Sequence, residues 1–387
     1  MRPGANGPIG SADDFHREAR QARSHGAGFK GLDFAKAPLL VIWESTRSCA
    51  LACKHCRAAA LMGRDPEELT TAEGFRIIDE AAAMGTPLFI VSGGDPLQRP
   101  DLPELIRHGK ERGLRMGTIP AATPRLTRER LAELKAAGVD QVAFSLDAPS
   151  AAAHDGFRGV DGSFAKVLEA VGWAHELDIP VQINTCFAAW NFKDLDAMAE
   201  IVQGLGIVFW EVFFLVPTGR GKAMDGLSAE QFEHAFAKLY ALSQKVKFVV
   251  KLTEAQHYRR YTVQQETLRR RAGAAPARPT MGASAPAVNA GKGFLFVDHR
   301  GDVYPSGFLP MVIGNVRKAT LQSLYREHPL MLGLRDPARL TGKCGVCEFR
   351  VVCSGSRARA YAMTGDPFGA EEACAYEPVA EAGKSVA

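Results

Sequence analysis

The chain has 387 residues, too many for one small domain, and its 46% hydrophobic and 23% charged content is ordinary for a globular protein with a sizeable core. A formal net charge of +4 is small at this length, and the run Arg269, Arg270, Arg271 has no aromatic or basic stripe beside it, which argues against a nucleic-acid surface. No segment reaches the ~20 apolar residues that span a bilayer. The opening "MRPGANGPIGSADDFHREARQARSHGAG" has no apolar signal core, so no membrane role and a reducing, cytoplasmic setting are expected.

Residues 1–36, rich in Gly, Ala and charge, read as a flexible N-terminal tail. From Pro38 onward, short apolar runs alternate with amphipathic stretches. The runs are "PLLVIWEST" (38–46), "PLFIVSGG" (87–94), "LRMGTIPAA" (114–122), "VDQVAFSLDAP" (139–149), "PVQINTCF" (180–187) and "FWEVFFLVP" (209–217). Between them, "TRERLAELKAAG" (127–138) puts Leu131 and Leu134 on one helical face and ends at Gly138. "SFAKVLEAVGWAHELDI" (163–179) repeats Phe164, Val167, Leu168 and Val171 at helical spacing, with Ser163 as the expected N-cap. Six strand–helix alternations with continuous apolar strands predict an α/β fold with a parallel sheet, an open partial barrel over residues 37–261. Chemistry in such folds sits just beyond the C-terminal ends of the strands. Residues 262–291, rich in Ala, Pro, Gly and Arg, read as a linker or long loop. Residues 292–387 form a small C-terminal unit, in which "GFLFVDHRGDVYPSGF" (293–308) has the pattern of a hairpin turning at 299–302.

Three of the eight cysteines, Cys49, Cys53 and Cys56, crowd into "ESTRSCALACKHCRAAA" (44–60) just after the first apolar run. Thiolates suit iron–sulfur clusters and zinc. Three from one loop leave a tetrahedral set one ligand short, so a metal held there keeps an open position. The alternatives at this point are three unrelated cysteines or a zinc site completed by His55. Four more cysteines follow as Cys344-x2-Cys347-x5-Cys353-x20-Cys374, a set that zinc or iron would accept. Cys186 is left over in the fifth run, and a buried apolar role is the ordinary reading for it.

A C-x3-C-x2-C loop after a first strand, with "SGGDP" after the second, resembles the radical S-adenosylmethionine (SAM) superfamily over residues 38–260. The resemblance implies a partial (β/α)6 barrel and a [4Fe–4S] cluster on Cys49, Cys53 and Cys56, whose open iron takes the amine and carboxylate of SAM. It also implies cofactor contacts from Gly93, Gly94 and Asp95 at the second strand, Ser145 and Asp147 after the fourth, Asn184 in the fifth and His55 beside the adenine. Arg220, in "FFLVPTGRG" (213–221), is expected to meet a carboxylate of SAM or substrate. The C-terminal cysteines, with Gly314-Asn315 and the hairpin, resemble the SPASM/twitch-like extension that carries auxiliary clusters. Ser306, Val316 and Arg357 stand where the first auxiliary cluster would draw ligands. One auxiliary [4Fe–4S] cluster, on Cys344, Cys347, Cys353 and Cys374, is therefore expected.

The activity this implies is reductive cleavage of SAM and hydrogen abstraction from a substrate, with an electron donor such as flavodoxin or ferredoxin. A ribosomally made peptide, crosslinked or oxidised, is the first expectation for the substrate. A haem precursor or other tetrapyrrole or small metabolite, decarboxylated or deacetylated, is the second. A non-catalytic iron–sulfur or zinc scaffold is the reading of a different class. The short stretch before the first strand is too small for a leader-binding module, so a peptide substrate would call for a separate leader-binding protein. Tyr304, Asp298, Arg220 and His257 are ionisable residues near loops or strand ends, and none is singled out as catalytic.

Overall fold

Every one of the six apolar runs forms a parallel strand: β1 Leu40–Glu44, β2 Leu88–Ser92, β3 Arg115–Thr118, β4 Gln141–Ser145, β5 Val181–Phe187 and β6 Phe209–Phe214. The computed structural model describes residues 32–277 and 288–379; most of the tail and part of the expected linker lie outside them. Intervening helices are α1 Thr71–Ala83, α2 Leu102–Glu111, α3 Arg128–Ala136, α4 Ala151–Arg158, α5 Ser163–Glu176, α6 Leu195–Gly204 and α7 Ala229–Ser243. One face of each strand packs on these helices through fully buried residues such as Trp43, Phe89, Phe144 and Trp210. No helix among the described residues is long and apolar enough to cross a membrane.

The sheet is larger than the six-fold alternation predicts. A seventh parallel strand, β7 Val249–Thr253, adds to β6, and α8 Tyr258–Arg271 follows it. Residues 262–271, expected in a linker, are thus helical, because α8 buries Tyr258, Arg260, Thr262 and Thr267 along one side. At the other edge, β8 Phe294–Val297 pairs in parallel with β1, and β9 Asp302–Tyr304 and β10 Gly314–Asn315 continue antiparallel. The expected hairpin is present, but its first strand belongs to the main sheet. The C-terminal region then adds α9 Leu321–Glu327, α10 Pro329–Arg335, α11 Gly342–Val346 and α12 Arg357–Thr364.

Local details of α5 differ from expectation. Gly162 is the N-cap, and Ser163 instead donates its hydroxyl to Asp155. The Asp155 carboxylate also accepts from the N–H groups of Gly162 and Phe164, so it satisfies the donors that a capping serine would have served. Leu168 is partly exposed at 36% and lies outside the buried stripe.

The C-terminal elements are bound to the barrel by specific polar contacts. Glu73, N3 of the capping box of α1, pairs with Arg317 at 2.6 Å, and Glu80 of α1 accepts from the N–H of Leu321 at the start of α9. Tyr325, fully buried in α9, donates to the Phe34 carbonyl at 2.8 Å and accepts from the Gly293 N–H at 3.0 Å. The Gly293 carbonyl in turn accepts from Leu39, so one hydroxyl joins the entries of β1 and β8. Tyr325→Phe should lower stability by about 1–3 kcal/mol, the cost of leaving those groups buried and unpaired. A leftward shift of the denaturation midpoint with unchanged far-UV circular dichroism is the expected reading.

Candidate functional site

The cysteine loop leaves β1 and is gripped from three sides. The N–H groups of Ala52 and Lys54 donate to the Arg158 and Phe157 carbonyls at the end of α4. From the second strand, Gly94 and Asp95 donate their N–H groups to Thr46 and Ser48 at 2.7 and 2.8 Å. A Cβ on Gly93 would lie 2.7 Å from the Thr46 carbonyl oxygen, and one on Gly94 would lie 2.6 Å from that of Ser48, so only glycine permits this approach. From the loop after β6, Arg220 donates its N–H to the Cys56 carbonyl and its Nε to the Cys53 carbonyl, at 3.0 and 2.9 Å. Gly219 has φ +54° and would clash with the Cys56 and Arg57 carbonyl oxygens if it carried a Cβ.

These grips place Cys49, Cys53 and Cys56 on the wall of a cavity of about 260 Å³. Of the residues expected at the cofactor, His55, Gly93, Gly94, Ser145, Asp147 and Asn184 share that wall. Asp95 and Arg220 do not. The Asp95 carboxylate is fully buried and accepts from Leu97, Ala121 and the Thr123 hydroxyl, which holds the turn after β2. Arg220 braces the cysteine loop through the two carbonyls just named. Asn184 Oδ1 accepts from Gln182, which leaves the amide NH2 for the cavity. Ser145 and Asp147 share the cavity side, as their alternation suggests.

Several wall residues carry no signal in the sequence. Arg158 is ion-paired with Asp147, and its Nη1 donates to Cys53 Sγ at 3.5 Å. Burial alone would raise the Asp147 carboxyl, but Arg158 beside it holds it below the ordinary carboxylate range. The other Asp147 oxygen accepts from the Cys186 N–H at 2.8 Å. Cys186 is half-buried and lines the cavity, where burial pushes its thiol upward. His55 stacks on Phe157, with ring centroids 4.6 Å apart, and Phe157 stacks on Trp190 at 4.4 Å. Phe213 and Phe308 also line the cavity, Phe308 coming from the C-terminal region.

The donor set fits the groups that the motif implies. Three soft thiols on one loop face a single cavity, and Leu51 donates its N–H to Cys49 Sγ at 3.4 Å, the kind of contact that tunes cluster ligands. Burial pushes the Cys49 thiol up to about 12, so iron must displace a proton there. Cys344, Cys347, Cys353 and Cys374 line a second, smaller cavity with His257, Arg260, Lys343 and Glu371. Glu371 and Gly355 donate N–H groups to Cys344 Sγ and Cys353 Sγ at 3.3 and 3.4 Å. Among the described residues, no three His, Cys, Asp or Glu converge on a point that would hold a single metal ion. The positions of Ser306, Val316 and Arg357 are filled: all three are buried, and Arg357 donates to the Pro367 and Gly369 carbonyls.

His154, fully buried in α4, accepts the Asp147 N–H at its Nδ1, so its proton sits on Nε2. Burial and then Arg158 lower its pKa to about 4. Between the ordinary value near 6.5 and about 4, the unfolded chain binds a proton that the folded chain refuses, so stability falls as pH drops through that window. His154→Gln should flatten this part of the profile by up to about 1.4 kcal/mol per pH unit, measured as denaturation midpoints at pH 7 and 5. An unchanged slope would show that His154 does not titrate as described.

The comparisons with known proteins agree with this geometry. A model of the family described as "Radical SAM superfamily" matches residues 43–202. An "AdoMet-dependent heme synthase" of Methanosarcina barkeri is 40% identical over 344 residues, covering 88% of this chain and 97% of that one. A protein of the same name from Nitratidesulfovibrio vulgaris is 38% identical over 341 residues, covering 88% and 92%. The crystal structure of Streptococcus suis SuiB bound to S-adenosylmethionine superposes with a TM-score of 0.66 at 15% identity, over 88% of this chain and 78% of that one, a likeness of fold. With three thiols of one loop on a shared cavity and relatives matched over nearly their whole length, the chain belongs to the radical SAM superfamily, whose members use S-adenosylmethionine and a [4Fe–4S] cluster.

Proposed function

We propose that this enzyme is an S-adenosylmethionine-dependent haem synthase that decarboxylates a haem precursor. The observation that carries this reading is the 40% identity to a protein named for that activity, extending over 97% of its length. It places the second substrate class of the sequence reading ahead of the peptide.

Cys49, Cys53 and Cys56 hold the cluster, and the segment Gly93-Gly94 borders the methionine end of SAM. Because the N–H groups of Gly94 and Asp95 are spent on the cysteine loop, carbonyl groups of this segment are the ones left to receive an ammonium. Ser145 and the Asn184 amide meet the ribose side, and the stack of His55 on Phe157 offers an apolar face to the adenine. Asp147 acts through Arg158: its carboxylate keeps the guanidinium against Cys53 and orients it there. Bound together, the cluster and SAM supply a 5′-deoxyadenosyl radical that removes a hydrogen atom from the substrate. On a propionate side chain, loss of that hydrogen, of CO2 and of one electron, which would pass to a one-electron acceptor such as an oxidised iron–sulfur centre, would leave a vinyl group. Phe213 and Phe308 give the cavity mouth apolar surface suited to a planar macrocycle. Arg57, ion-paired with the buried Glu44 and stacked 4.4 Å from the Phe296 ring centroid, lies on the same wall. Cys344, Cys347, Cys353 and Cys374 close a single auxiliary [4Fe–4S] cluster in a SPASM-type region, and a flavodoxin or ferredoxin in the cytoplasm supplies the reducing electron.

Anaerobically reconstituted protein given SAM, dithionite and iron coproporphyrin III should form haem in step with 5′-deoxyadenosine. Unchanged porphyrin alongside a mass loss in a peptide fraction would return the substrate to the peptide class. The same preparation should hold about eight irons, two [4Fe–4S] clusters. Close to four would remove the auxiliary cluster, and close to twelve would contradict the absence of a second auxiliary one. Replacing Cys49, Cys53 and Cys56 by alanine should abolish 5′-deoxyadenosine.

A further inference from the structure

His257 sits in the wall of the four-cysteine cavity with nothing inside the protein to bond to. The residue is fully buried, and neither Nδ1 nor Nε2 has a hydrogen-bond partner. Its ring packs against Phe232 and Phe236, with centroids 4.7 and 4.8 Å away. A neutral imidazole always carries one N–H, and leaving that donor buried and unpaired is unfavourable. Other polar side chains of this wall have partners of their own: Arg260 pairs with Glu233, Lys343 donates to the Cys374 carbonyl, and Glu371 pairs with Arg359.

The chain is also bent to put His257 there. Between β7 and α8, Glu254 is a non-glycine residue at φ +56°, a strained left-handed conformation. Two residues at the start of α12, just after Cys353, hold the bend. Ser356 donates its hydroxyl to the Glu254 carboxylate, and Arg359 donates to the Glu254 carbonyl at 2.6 Å. A histidine wanted only as an apolar filler against two phenylalanines would need neither the strain nor the bracing.

We propose that His257 donates its ring N–H to a sulfur of the auxiliary cluster held by Cys344, Cys347, Cys353 and Cys374, and so helps to set that cluster's reduction potential. The inference rests on the reading that these four thiolates close a cluster. His257 is a positioning residue: it touches no substrate and acts through the cluster. Its N–H joins those that Glu371 and Gly355 already direct at Cys344 Sγ and Cys353 Sγ. Hydrogen bonds to cluster sulfurs stabilise the more negative, reduced state and raise the potential.

The test uses the full chain with Cys49, Cys53 and Cys56 replaced by alanine, reconstituted anaerobically so that the auxiliary cluster alone gives the signal. About four irons per chain are expected. No bound iron would overturn the cluster reading, and the inference with it, before His257 is touched. Into this background go His257→Phe, which keeps a ring without a donor, and His257→Gln, which keeps an N–H. In a redox titration followed by electron paramagnetic resonance, His257→Phe should lower the reduced-to-oxidised ratio at fixed potential about tenfold, or 59 mV for one electron. His257→Gln should recover much of that shift. In D2O, one exchangeable deuteron coupled to the reduced cluster, beyond those of the Glu371 and Gly355 amides, should be lost in His257→Phe and kept in His257→Gln. If His257→Phe loads iron with unchanged potential and deuteron coupling, the inference is wrong. Should that variant fail to load, His257→Leu is the donor-free comparison and is read in the same way.

Discussion

The pair formed by Arg158 and Asp147 fixes the geometry on which the cavity depends. A guanidinium and a carboxylate lie out of water at the mouth of a sheet, and each is tolerable there only because the other is present. Breaking such a pair typically costs about 3–5 kcal/mol, because it strands the remaining charge. The pair also extends beyond itself. Arg158 reaches the Cys53 thiol, and its carbonyl takes the Ala52 N–H. Asp147 takes the Cys186 N–H, and its own N–H fixes the tautomer of His154. The Cys53 thiol, a strand end and a helix are therefore registered to one another through two side chains.

A second buried pair couples this cavity to the C-terminal cysteines. Arg359 in α12 binds Glu371 at 3.0 Å and donates to the carbonyls of Phe214, Leu215 and Glu254. Phe214 and Leu215 belong to the first cavity wall, while Glu371 lines the second and directs its N–H at Cys344. One arginine side chain thus ties the walls of the two cavities together, through a carboxylate and three backbone carbonyls.

The sequence makes some parts of this plain and hides others for physical reasons. Continuous apolar runs bounded by glycine and proline announce β1 to β6, since strands buried on both faces have few polar residues. β7 is obscured because Lys251 and Thr253 interrupt it, and both are spent on Glu211 inside the sheet. Tertiary pairing with β1, which no local pattern encodes, turns the first strand of the hairpin into part of the main sheet. The thiols are legible from spacing. Arg158, His154 and Phe157 are not, because their roles arise where α4 meets a loop a hundred residues earlier in the chain. Gly93 and Gly94 point to close backbone approach, but what they approach is the cysteine loop itself. Arg220 shows the limit of reading charge alone: its position beside the site is right, while its partners are carbonyl groups.

The parallel pairing of β1 with β8 bears on how the protein matures. Leu40 finds its neighbour Leu88 early in synthesis, but its other neighbour, Phe294, emerges from the ribosome only after β2 to β7. Phe308, which lines the cavity, comes later still. A nascent chain therefore carries its cysteine loop at the end of a strand with one open edge, and the cavity beside that loop stays incomplete until the C-terminal region has been made.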